Sequence, residues 1–127
     1  RSTLFPYTTL FRSAVEAYKR AANILKMEEK KDGVNYKTNF SNNLLQNQIE
    51  VNLSETLEEV EDRIKPLIKE GNFDSCLLAL TKLTQKINNF YDNTQINTDD
   101  RKIRENRLKL TAAIVEIFEK IARFDLI

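Results

Sequence analysis

The residues best able to do chemistry in this sequence are cations. Arg101, Lys102, Arg104 and Arg107 follow directly on Asp99 and Asp100. If they open a helix, its dipole disfavours each of them by roughly 0.3–1 kcal/mol. A bound phosphate would reverse that sign, because free amides at a helix start and guanidinium groups both converge on an anion. The plainer account is local neutralisation by Asp99, Asp100 and an Arg101 to Glu105 pair, which leaves a solvated charged face. Arg107 differs from the other three. At about 100° per residue it shares a stripe with Ile103, Leu110 and Ile114. It is therefore expected to be partly buried and to hold a carboxylate such as Asp92, or a loop carbonyl, in the bidentate manner that arginine favours.

A second basic pair, Lys19 and Arg20, follows Tyr18, and an exposed aromatic there could stack a nucleic-acid base. Tyr18 lies on an apolar stripe, which favours core packing. Phe90 and Tyr91 pose the same choice: Leu83 and Ile87 draw Phe90 inward and leave Tyr91 the more open to surface contact.

Other chemistries fall away. The chain has no His and a single Cys. This removes Ser/His/Asp and Cys/His catalysis, histidine and thiolate metal sites, and disulfides. Cys76 sits on an apolar stripe and reads as a small core residue. The two glycines, Gly33 and Gly71, lie far apart and cannot form a phosphate-cradling loop. Asp92 to Thr98 departs from a calcium loop at Thr94, Ile96 and Asn97. The carboxylates show no convergent acid/base pair. The longest apolar run, Cys76 to Leu80, is far short of the roughly 20 residues of a membrane span, so a soluble segment is expected.

The formal net charge is +1. Arg1 and Arg12 supply two of the positive groups, so the remainder is slightly acidic and any polyanion contact must come from local clustering.

Four helices can be read as the elements that position these groups, and together they predict an all-α bundle with one core. The first runs from Ser13 to about Lys31 on the stripe Ala14, Tyr18, Ala21, Leu25. Residues 32–53, broken by Gly33 and rich in Asn, read as a long polar loop with a short helical turn near Leu44 to Ile49. Ser54 is expected to cap a second helix reaching about Glu70, with a kink or break near Arg63 caused by Pro66. Gly71 reads as a left-handed cap, and Asn72 or Asp74 opens a third helix to about Tyr91, antiparallel to the second. Asp99 is expected to cap a fourth helix to about Ala122.

Residues 1–13 stand apart. They contain no Lys, Asn, Ile, Asp or Glu, and Ser2-Thr3-Leu4-Phe5 is nearly repeated as Thr8-Thr9-Leu10-Phe11. They resemble translated sequencing-adapter sequence rather than a strand or a processed leader, and are set aside as a non-native segment. Residues 14–127 are then expected to be the C-terminal fragment of a longer chain.

Three stretches resemble the C-terminal region of the β subunit of bacterial-type, two-subunit glycyl-tRNA synthetases: Ala17-Tyr18-Lys19-Arg20-Ala21-Ala22-Asn23-Ile24-Leu25, Phe90-Tyr91-Asp92-Asn93 and Arg104-Glu105-Asn106-Arg107-Leu108-Lys109-Leu110. The turn Glu70-Gly71-Asn72-Phe73 and the ending Ala122-Arg123-Phe124-Asp125-Leu126-Ile127 are similar as well. The resemblance is strongest from Lys69 onward and implies a DALR-type anticodon-binding domain, which also occurs in arginyl-tRNA synthetase. Thr94 and Gln95 depart from it, standing where that family carries apolar residues.

The resemblance implies a non-catalytic part of a glycine-tRNA ligase that supports aminoacylation of tRNA(Gly) with glycine and ATP. It implies no cofactor in this chain, since ATP and magnesium are used on the partner α subunit of an α2β2-type assembly. It also implies a cytoplasmic setting, with an organelle equally suited, and no membrane partner. On that basis Arg101, Lys102, Arg104 and Lys109, with Lys19 and Arg20, are expected to grip phosphates of the anticodon stem and loop. Tyr91, Asn93 and Gln95 are expected to approach bases, while Arg107 and Asp92 are structural. Two other readings stand beside this one. A helical protein-interaction domain without RNA would expose an apolar stripe; the equivalent domain of arginyl-tRNA synthetase would take a different tRNA.

Overall fold

Among the described residues apolar spacing becomes helix in four stretches, α1 Leu4–Asp32, α2 Gln48–Lys69, α3 Phe73–Asn93 and α4 Arg101–Glu119, with a 3-10 turn at Asn42–Leu44. The computed structural model describes residues 4–122, with side chains from residue 9 onward, and contains no strand among them. Residues 1–3 and 123–127, which include most of the ending that carried the resemblance, lie outside the described residues.

The expected stripe of α1, Ala14, Tyr18, Ala21 and Leu25, is buried. The helix ends on Gly33 at φ +66°, where the amides of Gly33 and Val34 both return to the Glu29 carbonyl at 2.8 and 3.3 Å. Only a residue without a Cβ takes that left-handed turn at no steric cost. At its other end α1 begins at Leu4 and so runs through the segment set aside in the sequence, with Phe11 packed against the core.

Helix α2 starts well before the expected Ser54. Asn47 is its cap, the side-chain oxygen accepting from the Glu50 amide at 3.0 Å. Ser54 is interior, and its hydroxyl donates back to the Val51 carbonyl at 2.8 Å. The expected break near Arg63 is absent, for α2 continues through Pro66 to Lys69. Pro66 stands one turn from the end and forfeits only the bond to the Asp62 carbonyl.

The turn at Gly71 has the expected hand, φ +73°. Its amide returns to Ile68 O at 3.0 Å and that of Asn72 to Leu67 O at 2.9 Å, and Asn72 then caps α3 by accepting from the Ser75 amide at 3.3 Å. Helices α2 and α3 thereby form an antiparallel hairpin. Asp100, one residue after the expected Asp99, caps α4 through the amides of Lys102 and Ile103 at 3.0 and 3.2 Å.

Long-range contacts fix the relative directions. Tyr18 meets Glu119 and Arg104 meets Asp32, so α1 and α4 are antiparallel. Arg107 meets Glu50 and Lys120 meets Glu61, so α2 and α4 are parallel. The four stripes close on one another around Phe90, Phe118, Leu53, Leu83 and Ile114, all fully buried, each contributing roughly 1.5–3 kcal/mol through the apolar area it removes from water. Cys76 lies in this core, where burial pushes its thiol pKa up. Among the described residues the core-facing stripes of the four helices cover one another, and the large apolar side chains left exposed are Leu10, Met27, Val34, Phe73 and Leu78, which does not favour the protein-docking alternative.

The C-terminal ends of α1 and α3 and the N-terminal ends of α2 and α4 thus gather at one end of the bundle. The expected cationic run lies there.

Candidate nucleic-acid interface

Three side chains on the first two turns of α4 tie down the irregular backbone at this end. Arg104 spends its guanidinium inside the fold. Its Nε donates to Asn97 Oδ1 at 2.9 Å, one terminal nitrogen donates to the Tyr36 hydroxyl at 3.4 Å, and the other is shared between Asp32 Oδ2 at 2.9 Å and the Glu28 carboxylate. Burial disfavours its charge, but the hydrogen bonds to Asp32, Glu28 and Tyr36 outweigh that and raise its pKa. The Tyr36 hydroxyl, followed by Arg104, holds the Asp32 carboxyl below its usual 3.8.

Asn106 is buried and pairs with the backbone of Ser41 in both directions. Its oxygen accepts from the Ser41 amide at 2.6 Å and its nitrogen donates to the Ser41 carbonyl at 3.0 Å. Arg107 reaches two further segments, donating to the Gln95 carbonyl at 2.7 Å and to Glu50 Oε2 at 3.1 Å. The Glu50 side chain is 0% exposed and that of Arg107 12%. Glu50 Oε1, Arg107 Nε and Thr94 Oγ1 are buried without a hydrogen-bond partner.

These contacts redistribute the expected roles. Arg104, expected as a phosphate ligand, has its donors committed to Glu28, Asp32, Tyr36 and Asn97. Arg107 does take a loop carbonyl, but its carboxylate is Glu50, and Asp92 belongs instead to Arg20 at 2.8 Å. Arg20 also donates to Asn88 at 3.3 Å and lies 5.5 Å from the Tyr91 ring centroid, so it staples α1 to α3. Tyr91 is not an open stacking platform. It is buried, its hydroxyl donates to Thr111 Oγ1 at 2.8 Å, and burial raises its phenol pKa. Tyr18 is likewise in the core, its ring 5.7 Å from that of Phe118.

The expected anion site at the start of α4 is also altered, because Asp100 takes the amides of Lys102 and Ile103. What remains open to a ligand is side chains. Arg101 and Lys102 are exposed, and neither side chain has an ion-pair or hydrogen-bond partner among the described residues. Lys109, one face-repeat beyond Lys102, is half-buried. Asn93 and Gln95 are exposed; the Asn93 amide is bonded to Asn89 at 2.8 Å. Lys19 is exposed but sits far down α1, roughly 20 Å from Asp32 at 1.5 Å per residue.

Composition alone did not single out Lys30 and Lys31. Both are exposed in the last turn of α1, and the Asp32–Arg104 pair brings that turn beside the start of α4. Elsewhere, a cleft of about 500 Å³ between α2, α4 and residues 37–42 is lined by three carboxylates, Glu58, Glu61 and Glu116, against Lys37 and a Lys120 already paired to Glu61. That charge suits a polyanion poorly. Among the described residues, no group of acidic or sulfur side chains could hold a metal ion, and no helix is long and apolar enough to cross a membrane.

Residues 14–124 match the family model of the DALR anticodon binding domain. The chain is 33% identical over 113 residues to the glycine–tRNA ligase beta subunit of Rickettsia felis, covering 89% of this chain and 16% of that protein. It is 35% identical over 109 residues to the protein of the same name from Rhodospirillum centenum, covering 85% and 15%. It is 29% identical over 115 residues to the one from Erwinia tasmaniensis, covering 91% and 16%. The chain spans about a sixth of the length of these curated relatives.

Proposed function

The chain belongs to the family of DALR anticodon-binding domains, and from that premise we propose that it binds the anticodon stem-loop of tRNA(Gly) as part of a glycine–tRNA ligase β subunit. In this reading it supports aminoacylation of the tRNA with glycine and ATP in the cytoplasm, alongside an α subunit that carries the catalytic site and uses the ATP and magnesium. The domain itself grips RNA and performs no bond-making step.

One observation carries the reading: Arg101 and Lys102, exposed and unpaired among the described residues, border a loop presenting Gln95, with Asn93 at the end of α3 beside it, at the end of the bundle where Lys30 and Lys31 also emerge. Cations in this position attract phosphates without regard to sequence, while the neighbouring amides are of the right type to meet base edges. Lys109 extends the cationic line along α4. Lys19 and Arg20, on the flank of α1, contribute at most to a stem lying along that side, and Arg20 does so only by leaving Asp92. Arg104 and Tyr91 act from inside the fold.

The test is binding of a glycine-anticodon stem-loop RNA followed by fluorescence anisotropy across a salt series. Affinity is expected to fall as salt rises, and Arg101→Ala and Lys102→Ala each to weaken binding of all RNAs evenly and flatten the log–log salt slope by about 0.7–1. Absent or salt-independent binding, or indifference to both substitutions, overturns the proposal.

A further inference from the structure

The loop between α3 and α4 is short, polar and exposed, yet it is held from beneath. Arg107 donates to the carbonyl of Gln95 at 2.7 Å, and Arg104 donates to the side chain of Asn97 at 2.9 Å. The loop's own bond from the Thr98 amide to the Ile96 carbonyl, 3.1 Å, completes its shape. Arg107 is in turn fixed by Glu50, a carboxylate with no exposed surface, on the first turn of α2. One guanidinium thus links a buried carboxylate on the first turn of α2 to the backbone of an exposed residue whose side chain has no partner among the described residues.

A buried ion pair is a poor means of gaining stability, since apolar side chains of similar volume often do as well. It is a good means of fixing geometry, because the planar fork of arginine commits two partners at once. We infer that Arg107, held by Glu50, is a positioning residue for base discrimination: it sets the Gln95 backbone so that the Gln95 side chain presents its amide to one base of the bound RNA loop. This rests on the RNA-binding reading above and adds to it a division of labour. Arg101 and Lys102 supply grip; Arg107, through Gln95, supplies selectivity.

The experiment compares the wild-type chain, Gln95→Ala, the double variant Glu50→Leu/Arg107→Met and the triple combination. Each is first shown to be folded by circular dichroism and a cooperative melt. Affinities are measured for the glycine-anticodon stem-loop RNA and for versions with each anticodon base changed in turn. Wild type is expected to discriminate at one loop position. Gln95→Ala and the double variant should each lose about tenfold of that discrimination while keeping the wild-type salt slope, and the triple combination should lose no more than either.

A merely structural role for the pair would weaken binding to every RNA alike and leave the discrimination ratio unchanged, which overturns the inference. Equal discrimination in wild type and Gln95→Ala overturns it as well. Should the double variant fail to fold, Arg107→Lys, which keeps the charge beside Glu50 but not the second arm to Gln95, is measured in its place with the same outcomes. Absence of RNA binding by the wild-type chain is a different failure: it overturns the RNA-binding reading itself.

Discussion

Replacing Arg107 with Met leaves Glu50 as a carboxylate with 0% side-chain exposure and no counter-charge. Breaking a buried pair from one side typically costs about 3–5 kcal/mol, because the desolvation of the remaining ion is no longer offset. The Gln95 carbonyl also loses its donor, adding about 1 kcal/mol if it stays shielded from water. Set against a total of about 5–15 kcal/mol for an ordinary domain, this is a large fraction. The matched substitution Glu50→Leu removes the stranded charge, so the double variant is expected to recover most of the loss, with a coupling energy of about 3 kcal/mol. Urea unfolding followed by circular dichroism measures this directly. At a slope of about 1.5–2 kcal/mol/M, the midpoint of Arg107→Met should fall by about 2 M, and that of the double variant by well under 1 M. A single-variant cost below about 1 kcal/mol, or a double variant no more stable than the single, would refute the reasoning.

Three further outcomes are expected. Asp100→Ala should cost about 1 kcal/mol in a thermal melt by uncapping the Lys102 and Ile103 amides. Because the Tyr36 hydroxyl and Arg104 depress the folded-state pKa of Asp32 below 3.8, its contribution is complete above that value and lost as pH falls through the lower folded pKa; melting temperatures of Asp32→Asn should lack this part of the acid limb. Tyr91→Phe should cost about 0.5–1.5 kcal/mol by removing the bond to Thr111, yet leave RNA affinity unchanged, as its buried position requires.

Helix number and the core-facing side of each helix were legible because they follow from spacing alone, and Leu57, Val60, Ile64, Leu83, Ile87 and Ile114 are all buried as that spacing demands. Helix starts were less legible because Ser, Asn and Asp serve both as caps and as interior residues. Ser54 satisfies its own hydroxyl against Val51, and the true cap is Asn47. The site was legible in type and not in partnership. Arg104 and Arg101 are alike when judged on their own helix; what separates them is Glu28, 76 residues away in the chain, and Asp32 beside it. Position on a stripe put Arg107 inside correctly, but nothing in local spacing distinguishes Asp92 from Glu50 as its carboxylate. Tyr91 follows Phe90 by one residue and should have turned outward; Arg20, reaching across from α1, and Thr111 on α4 enclose it instead.

The pairing of α1 with α4 also sets an order of events while the chain is being made. Helices α2 and α3 are neighbours in sequence and can associate as soon as both have emerged. Helix α1 can join them only in part: Arg20 reaches Asp92 and Asn88 on α3, but Glu28 waits for Arg104 across 76 residues and Tyr18 for Glu119 across 101. At a synthesis rate of about 5–20 residues per second, the part of the nascent α1 stripe that faces α4 stays uncovered for roughly 4–20 s. That interval is when a ribosome-associated chaperone would find it, and when a ribosome stalled before α4 would leave a product unable to close.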